Sequence, residues 1–164
     1  ETMSILHVIF VLLAAVTLGG ALGVVTARSV FISALFLILS FVGVAGIYVL
    51  LEAGFLAGVQ LLIYVGAIAV LILFAIMLTR GLMTETARQT NEQWGVAALI
   101  AALLFAIFGL LAFGVRWPIS SASPPADPIA ALGQALMGPY VLPFEVASII
   151  LLVALVGAII IARE

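Results

Sequence analysis

The stretch FLAGVQLLIYVGAIAVLILFAIMLT, Phe55 to Thr79, is apolar almost throughout and carries no formal charge. At 1.5 Å of rise per residue it is long enough to cross about 30 Å of hydrocarbon as one helix. Comparable runs lie on both sides of it. Upstream, Val30 to Leu51 stops at Glu52, and Ile5 to Ala27 stops at Arg28. Downstream, Trp94 to Val115 forms a fourth run, and a fifth, about Leu142 to Ala162, ends in Arg163 and Glu164. The expected fold is therefore an all-α integral membrane protein of five transmembrane helices, spanning about 5–27, 30–51, 55–79, 94–115 and 142–162, in a single membrane domain. The first run lacks a basic leader and a clear small-residue cleavage site, so it reads as a span rather than a removed signal peptide.

Composition points the same way. Of 164 residues, 67% are hydrophobic and only 7% charged, against about 25% charged in an ordinary soluble domain. Five spans of roughly 20 residues use about 100 positions, which leaves little for a separate soluble domain. The chain has no cysteine and one histidine, His7. Thiolate-held iron–sulfur clusters, Cys-x-x-Cys-His haem attachment and two-histidine haem ligation are thereby excluded. A net charge of −2 with no lysine provides no basic stripe for nucleic acid. Expected partners are other membrane subunits and the lipid bilayer, with no nucleic acid.

An odd number of spans puts the termini on opposite sides. Arg28, Arg80, Arg88 and Arg163 share one face, and Arg116 is alone on the other. Cytoplasmic loops carry the arginine excess, so the expectation is an N-terminus outside and a C-terminus in the cytoplasm. Glu85, Arg88 and Glu92, three and four residues apart, would pair on a short surface helix or a solvated connector. The outer loop, 116–141, begins with Arg116 and Trp117 and contains SSASPPADP. There, Asp127 as N-cap, Pro128 at the first helical position and Gly138 just past the end predict a short helix on the membrane surface or against a partner. Trp94, Trp117 and Tyr140 stand at span ends, where an aromatic belt would place them.

Ionisable groups inside a membrane are costly and usually functional. Arg28, Glu52, Arg80 and Glu145 all fall at span ends, so a self-contained pump is not expected. Glu145 follows Pro143 at the start of the last span, where the helix dipole favours a carboxylate and free backbone N–H groups offer it hydrogen bonds. Glu52 reads as a boundary residue and His7 as an interfacial one. Within the third span, Gln60 lies about 7 to 8 Å inside Phe55, with Tyr64 on the same face and Gly66 near the midplane. Two readings stand. Gln60 and Tyr64 bond to a neighbouring helix while Gly54, Gly58 and Gly66 permit close approach, or the small residues beside Tyr64 let the helix hold and lose a π-bulge. Spacing does not choose between them. Gly19, Gly20, Gly23, Gly43 and Gly46 read as packing faces of the first two spans.

FLAGVQLLIYVGAIAVLILFAIML and GPYVLPFEVASIILLVALVGAIIIAR, together with ARSVFISALFLILSFVGVAGIYVLLEAGF before them, closely resemble subunit J of proton-translocating NADH-quinone oxidoreductase, respiratory complex I. The equivalent subunit of the photosynthetic NDH complex is similar too. The resemblance covers about the first 80 and the last 27 residues. It implies a non-catalytic membrane-arm subunit that couples quinone reduction to proton translocation and contains no redox centre. Quinone, flavin and iron–sulfur clusters would belong to partner subunits: a quinone-site subunit, a small three-helix subunit and antiporter-like subunits. The membrane would be the bacterial inner membrane or a thylakoid-type membrane. In this family the tyrosine–glycine region of the third helix forms a π-bulge whose gain and loss opens a water path. Tyr64, Val65, Gly66, Ala67 and Ile68 stand at that motif. Some members carry a glutamate where this chain has Gln60, and an acidic residue where it has Gly54. Gln60, Glu52 and Glu145 are accordingly the polar candidates for a proton path. The competing reading is a scaffolding subunit of the same or a related complex, including membrane-bound hydrogenases and Mrp-type antiporters.

Overall fold

The computed structural model describes residues 2–79, 93–115 and 127–163. The expectations placed on Arg80, Glu85, Arg88, Glu92, Arg116, Trp117 and the proline-rich 120–126 segment lie outside these residues. The described residues form helices and turns, with no strand among them. Helix α1 spans Thr2–Thr26 and α2 spans Val30–Leu50. The third span has three parts: α3, Gly54–Val59; a π-helical segment, Gln60–Ile68; and α4, Ala69–Leu78. Helices α5, Trp94–Gly114, α6, Pro128–Met137, and α7, Val141–Ala162, complete the order. Among the described residues, five helices are long and apolar enough to cross a membrane: Ile5–Thr26, Val30–Leu50, Gly54–Leu78, Trp94–Gly114 and Val141–Ala162. Each is apolar on all sides, as a helix solvated by lipid or by other apolar helices must be.

The chain divides into two compact units, Glu1–Ile119 and Ser120–Glu164. In the first, α1 and α2 form a close antiparallel pair. A Cβ added at Gly20 would stand 2.8 Å from the Ser40 backbone nitrogen, and one at Gly23 would stand 2.5 Å from the Phe36 ring. One at Gly46 would stand 2.5 Å from Leu13, and one at Gly43 would collide with Thr17. Successive contacts run backward along α1 as they run forward along α2, which defines the hairpin. Small residues let backbones approach where lipid supplies no hydrophobic drive for association. The approach is close enough for the Ser40 hydroxyl to donate to the Thr17 carbonyl across the pair at 3.0 Å. Gly19 meets nothing within 4 Å and takes no part.

The turn into the third span is fixed by backbone bonds. Glu52 N–H donates to Val49 O and Ala53 N–H to Tyr48 O, each at 3.0 Å. These are the two bonds of a Schellman ending, whose central residue takes a left-handed conformation. Glu52 fills that place with φ 58°, where glycine or asparagine is usual. A non-glycine residue there costs roughly 1–2 kcal/mol.

In the second unit, Asp127 caps α6 by accepting from Ile129 N at 3.1 Å and Ala130 N at 3.0 Å. Pro128 follows at the first helical position, where its missing N–H costs nothing. Helix α6 packs against α7.

Candidate functional site

The third span packs along α2 through all three of its parts. Its inward face follows from burial. Ala57, Gln60 and Ala69 are 5%, 8% and 2% exposed, and Val65 is half-buried between them. These positions step by three, five and four residues. An α-helix brings a side chain back to one face every three or four residues, so the step of five from Gln60 to Val65 is the signature of the π segment. Its backbone agrees, because Ala69 N–H donates to the Tyr64 carbonyl five residues back. Were the helix α throughout, the residues following Gln60 on this face would be Ile63 or Tyr64, then Ala67 or Ile68. Register alone therefore decides whether Val65 and Ala69, or Tyr64 and Ile68, stand at the centre of the face toward α2.

Tyr64 stands at the margin of this face, 43% exposed. Its ring meets Phe41 of α2 edge to face, with centroids 5.4 Å apart and planes at 69°. Aromatic pairs favour this geometry because the positive edge of one ring meets the negative face of the other. Gly66, Ala67 and Ile68 are exposed on the far side. A Cβ at Gly66 would lie 3.4 Å from the Leu61 carbonyl, an ordinary contact, and Gly54 and Gly58 have open space. None of these three glycines makes a close approach to another helix of the described residues, unlike Gly20, Gly23, Gly43 and Gly46.

The polar candidates lie on different elements. Gln60 is buried against α2, and its side chain makes no hydrogen bond among the described residues. Glu52 is the left-handed turn residue that leads into the span. Glu145 belongs to the second unit. The expectation that Glu145 caps the last helix is corrected: α7 begins at Val141, so Glu145 is its fifth residue and no acid stands in the first turn. Among the described residues, no backbone N–H donates to its carboxylate. Phe41 escaped the sequence reading, as did the Ser40–Thr17 bond. One phenylalanine among 10, in an otherwise apolar span, carries no mark of its partner.

Known proteins share this sequence along most of its length. Residues 20–161 match the family described as NADH-ubiquinone/plastoquinone oxidoreductase chain 6. The chain belongs to the chain 6 family. The match runs from within α1 to the end of α7 and includes the whole π segment. NAD(P)H-quinone oxidoreductase chain 6 of Leptolyngbya boryana is 44% identical over 158 residues, covering 94% of this chain and 78% of that protein. F(420)H(2) dehydrogenase subunit J of Methanosarcina mazei is 45% identical over 159 residues, covering 94% of this chain and 89% of that one. Chain 6 of Synechocystis sp. is 39% identical over 162 residues, with 96% of this chain and 81% of that protein covered. The resemblance to complex I subunit J and its photosynthetic counterpart is thus supported along most of this chain. Among the described residues, no group of three His, Asp or Glu is placed to hold a metal ion.

Proposed function

We propose that this chain is a membrane-arm subunit of a complex I-type quinone oxidoreductase, coupling quinone reduction to proton translocation by switching Gln60–Ile68 between π and α registers. The observation that carries this reading is the five-residue step in the inward face of the third span. Removing the extra residue of the π segment rotates everything beyond it by about 100°, one residue of an α-helix. That turn moves Tyr64 from the margin of the face toward α2 to its centre and, with Ile68, replaces Val65 and Ala69 there. An exchange of apolar side chains can open or close a narrow water path, since hydrophobic constrictions gate by dewetting. Tyr64, Val65, Gly66, Ala67 and Ile68 carry the switch. Gln60 orients water or bonds to a partner beside it, because an amide has no proton to release at working pH.

Relatives named for two donors, NAD(P)H and F(420)H(2), support a role on the quinone and proton side rather than at donor oxidation. A chain without cysteine has no ligands for an iron–sulfur cluster. The clusters therefore belong to partner subunits, and the resemblance to complex I assigns flavin and the quinone pocket to partners as well, with this chain a non-catalytic member of the enzyme. Its neighbours are the quinone-site subunit, a small three-helix subunit and the antiporter-like subunits. It lies in a bacterial inner membrane or a thylakoid-type membrane, N-terminus outside. Glu52 and Glu145 remain candidates for the ends of a proton path.

A scaffolding role is the second reading, and the glycine-lined α1–α2 contact favours it for that part of the chain. Gly66→Val separates the two. A Cβ fits at Gly66, but a β-branched side chain narrows the backbone and rotamer choices of a segment that must change register. Coupling predicts an assembled complex whose proton translocation falls about tenfold. Full electron transfer and full pumping in that complex would leave the scaffold reading.

A further inference from the structure

We infer that Phe41 is a positioning residue that holds the third span in its π register, acting through the ring of Tyr64. This deepens the reading above and rests on it, because a latch matters only if the segment changes register.

Phe41 and Tyr64 meet edge to face, and Tyr64 lies in the middle of the π segment. The Tyr64 carbonyl is also the acceptor of the π-type bond from Ala69 N–H. The residue whose ring is held by α2 is thus the one whose backbone closes the five-residue turn. Rotating the helix to the α register carries that ring across Phe41 and ends the edge-to-face geometry.

Phe41 is itself well anchored. Ser40, its neighbour in the chain, donates to the Thr17 carbonyl of α1 at 3.0 Å. Two residues on, Gly43 seats against Thr17. Helix α2 therefore cannot rotate to follow Tyr64 without breaking its contact with α1. Ala45, one turn beyond Phe41 on the same face of α2, is buried, as is Gln60, one turn before Tyr64. In the antiparallel arrangement these two come to the same level, one turn from the Phe41–Tyr64 ring contact. A fixed ring against a turning span makes a latch, with α1 as its base.

The test reads register directly. The assembled complex is purified with Phe41→Leu, which keeps apolar volume but loses the ring, and with Phe41→Tyr, which keeps the ring. Each is imaged by cryo-electron microscopy at a resolution that traces backbone hydrogen bonds from Gln60 to Ile68. The ratio of α to π particles should rise about fivefold in Phe41→Leu, the size expected for loss of one aromatic pair, and stay at the parental value in Phe41→Tyr. An unchanged ratio in Phe41→Leu overturns the latch, whatever the turnover. A shifted ratio with undiminished proton translocation leaves the latch standing and overturns the coupling reading instead. If Phe41→Leu does not assemble, Phe41→Met, close in volume and more flexible, decides by the same ratio.

Discussion

Glycine serves opposite ends in the first two helices and in the third span. Between α1 and α2, any side chain at Gly20, Gly23, Gly43 or Gly46 would run into the facing helix. In the third span, Gly54 and Gly58 meet nothing within 4 Å, and Gly66 meets only a carbonyl of its own helix at ordinary contact distance. The first set fills an interface and fixes two helices in one arrangement. The second leaves space around a backbone that already departs from α geometry. A rigid pair beside a loosely held span is what a register change requires, since a moving helix needs a stationary one to turn against.

The sharpest way to break this contrast is to overfill the rigid pair. Gly43→Leu should cost about 3 kcal/mol through overpacking against Thr17, and the subunit should vanish from the assembled complex on native gels. The matching change in the third span, Gly66→Ala, should leave assembly and turnover within about twofold of the parent, since its Cβ has room. Equal damage from both would show that the two sets of glycines do the same work. Ser40→Ala tests the base of the contrast more gently. Loss of one interhelical hydrogen bond should lower stability by about 0.6 kcal/mol, read as a small drop in the thermal midpoint of the purified complex.

The turn between the two regions offers a change of opposite sign. Glu52→Gly removes the left-handed strain at φ 58° and should raise stability by up to about 1 kcal/mol. If proton translocation falls while stability rises, Glu52 holds a place in the proton path. If both are kept, its role ends with the turn.

The five spans were legible because hydropathy and length suffice to mark a membrane helix. Helix ends were legible to within a residue or two where a polar residue marks them, as at Glu52. The error at Glu145 shows the limit: the start expected at about Leu142 falls within one residue of the observed Val141, yet a carboxylate on the fifth residue lies beyond the first turn, where the free N–H groups are. The choice between glue and π-bulge at Tyr64 was not legible, because π and α turns draw on the same apolar residue types and differ only in which positions return to one face. Burial at Ala57, Gln60, Val65 and Ala69 supplies that information, and it depends on α2. For the same reason Phe41 was invisible, since a contact between two spans leaves no trace in either one alone.

Coupling through this subunit stands or falls on whether Gln60–Ile68 changes register. The most direct test is imaging of the unmodified assembled complex at rest and under steady turnover with donor and quinone, at a resolution that distinguishes i to i+5 from i to i+4 backbone bonds. A working switch predicts a π register with Val65 and Ala69 against α2 in one state, and an α register with Tyr64 and Ile68 there in the other. A single π register in every particle under both conditions would contradict it.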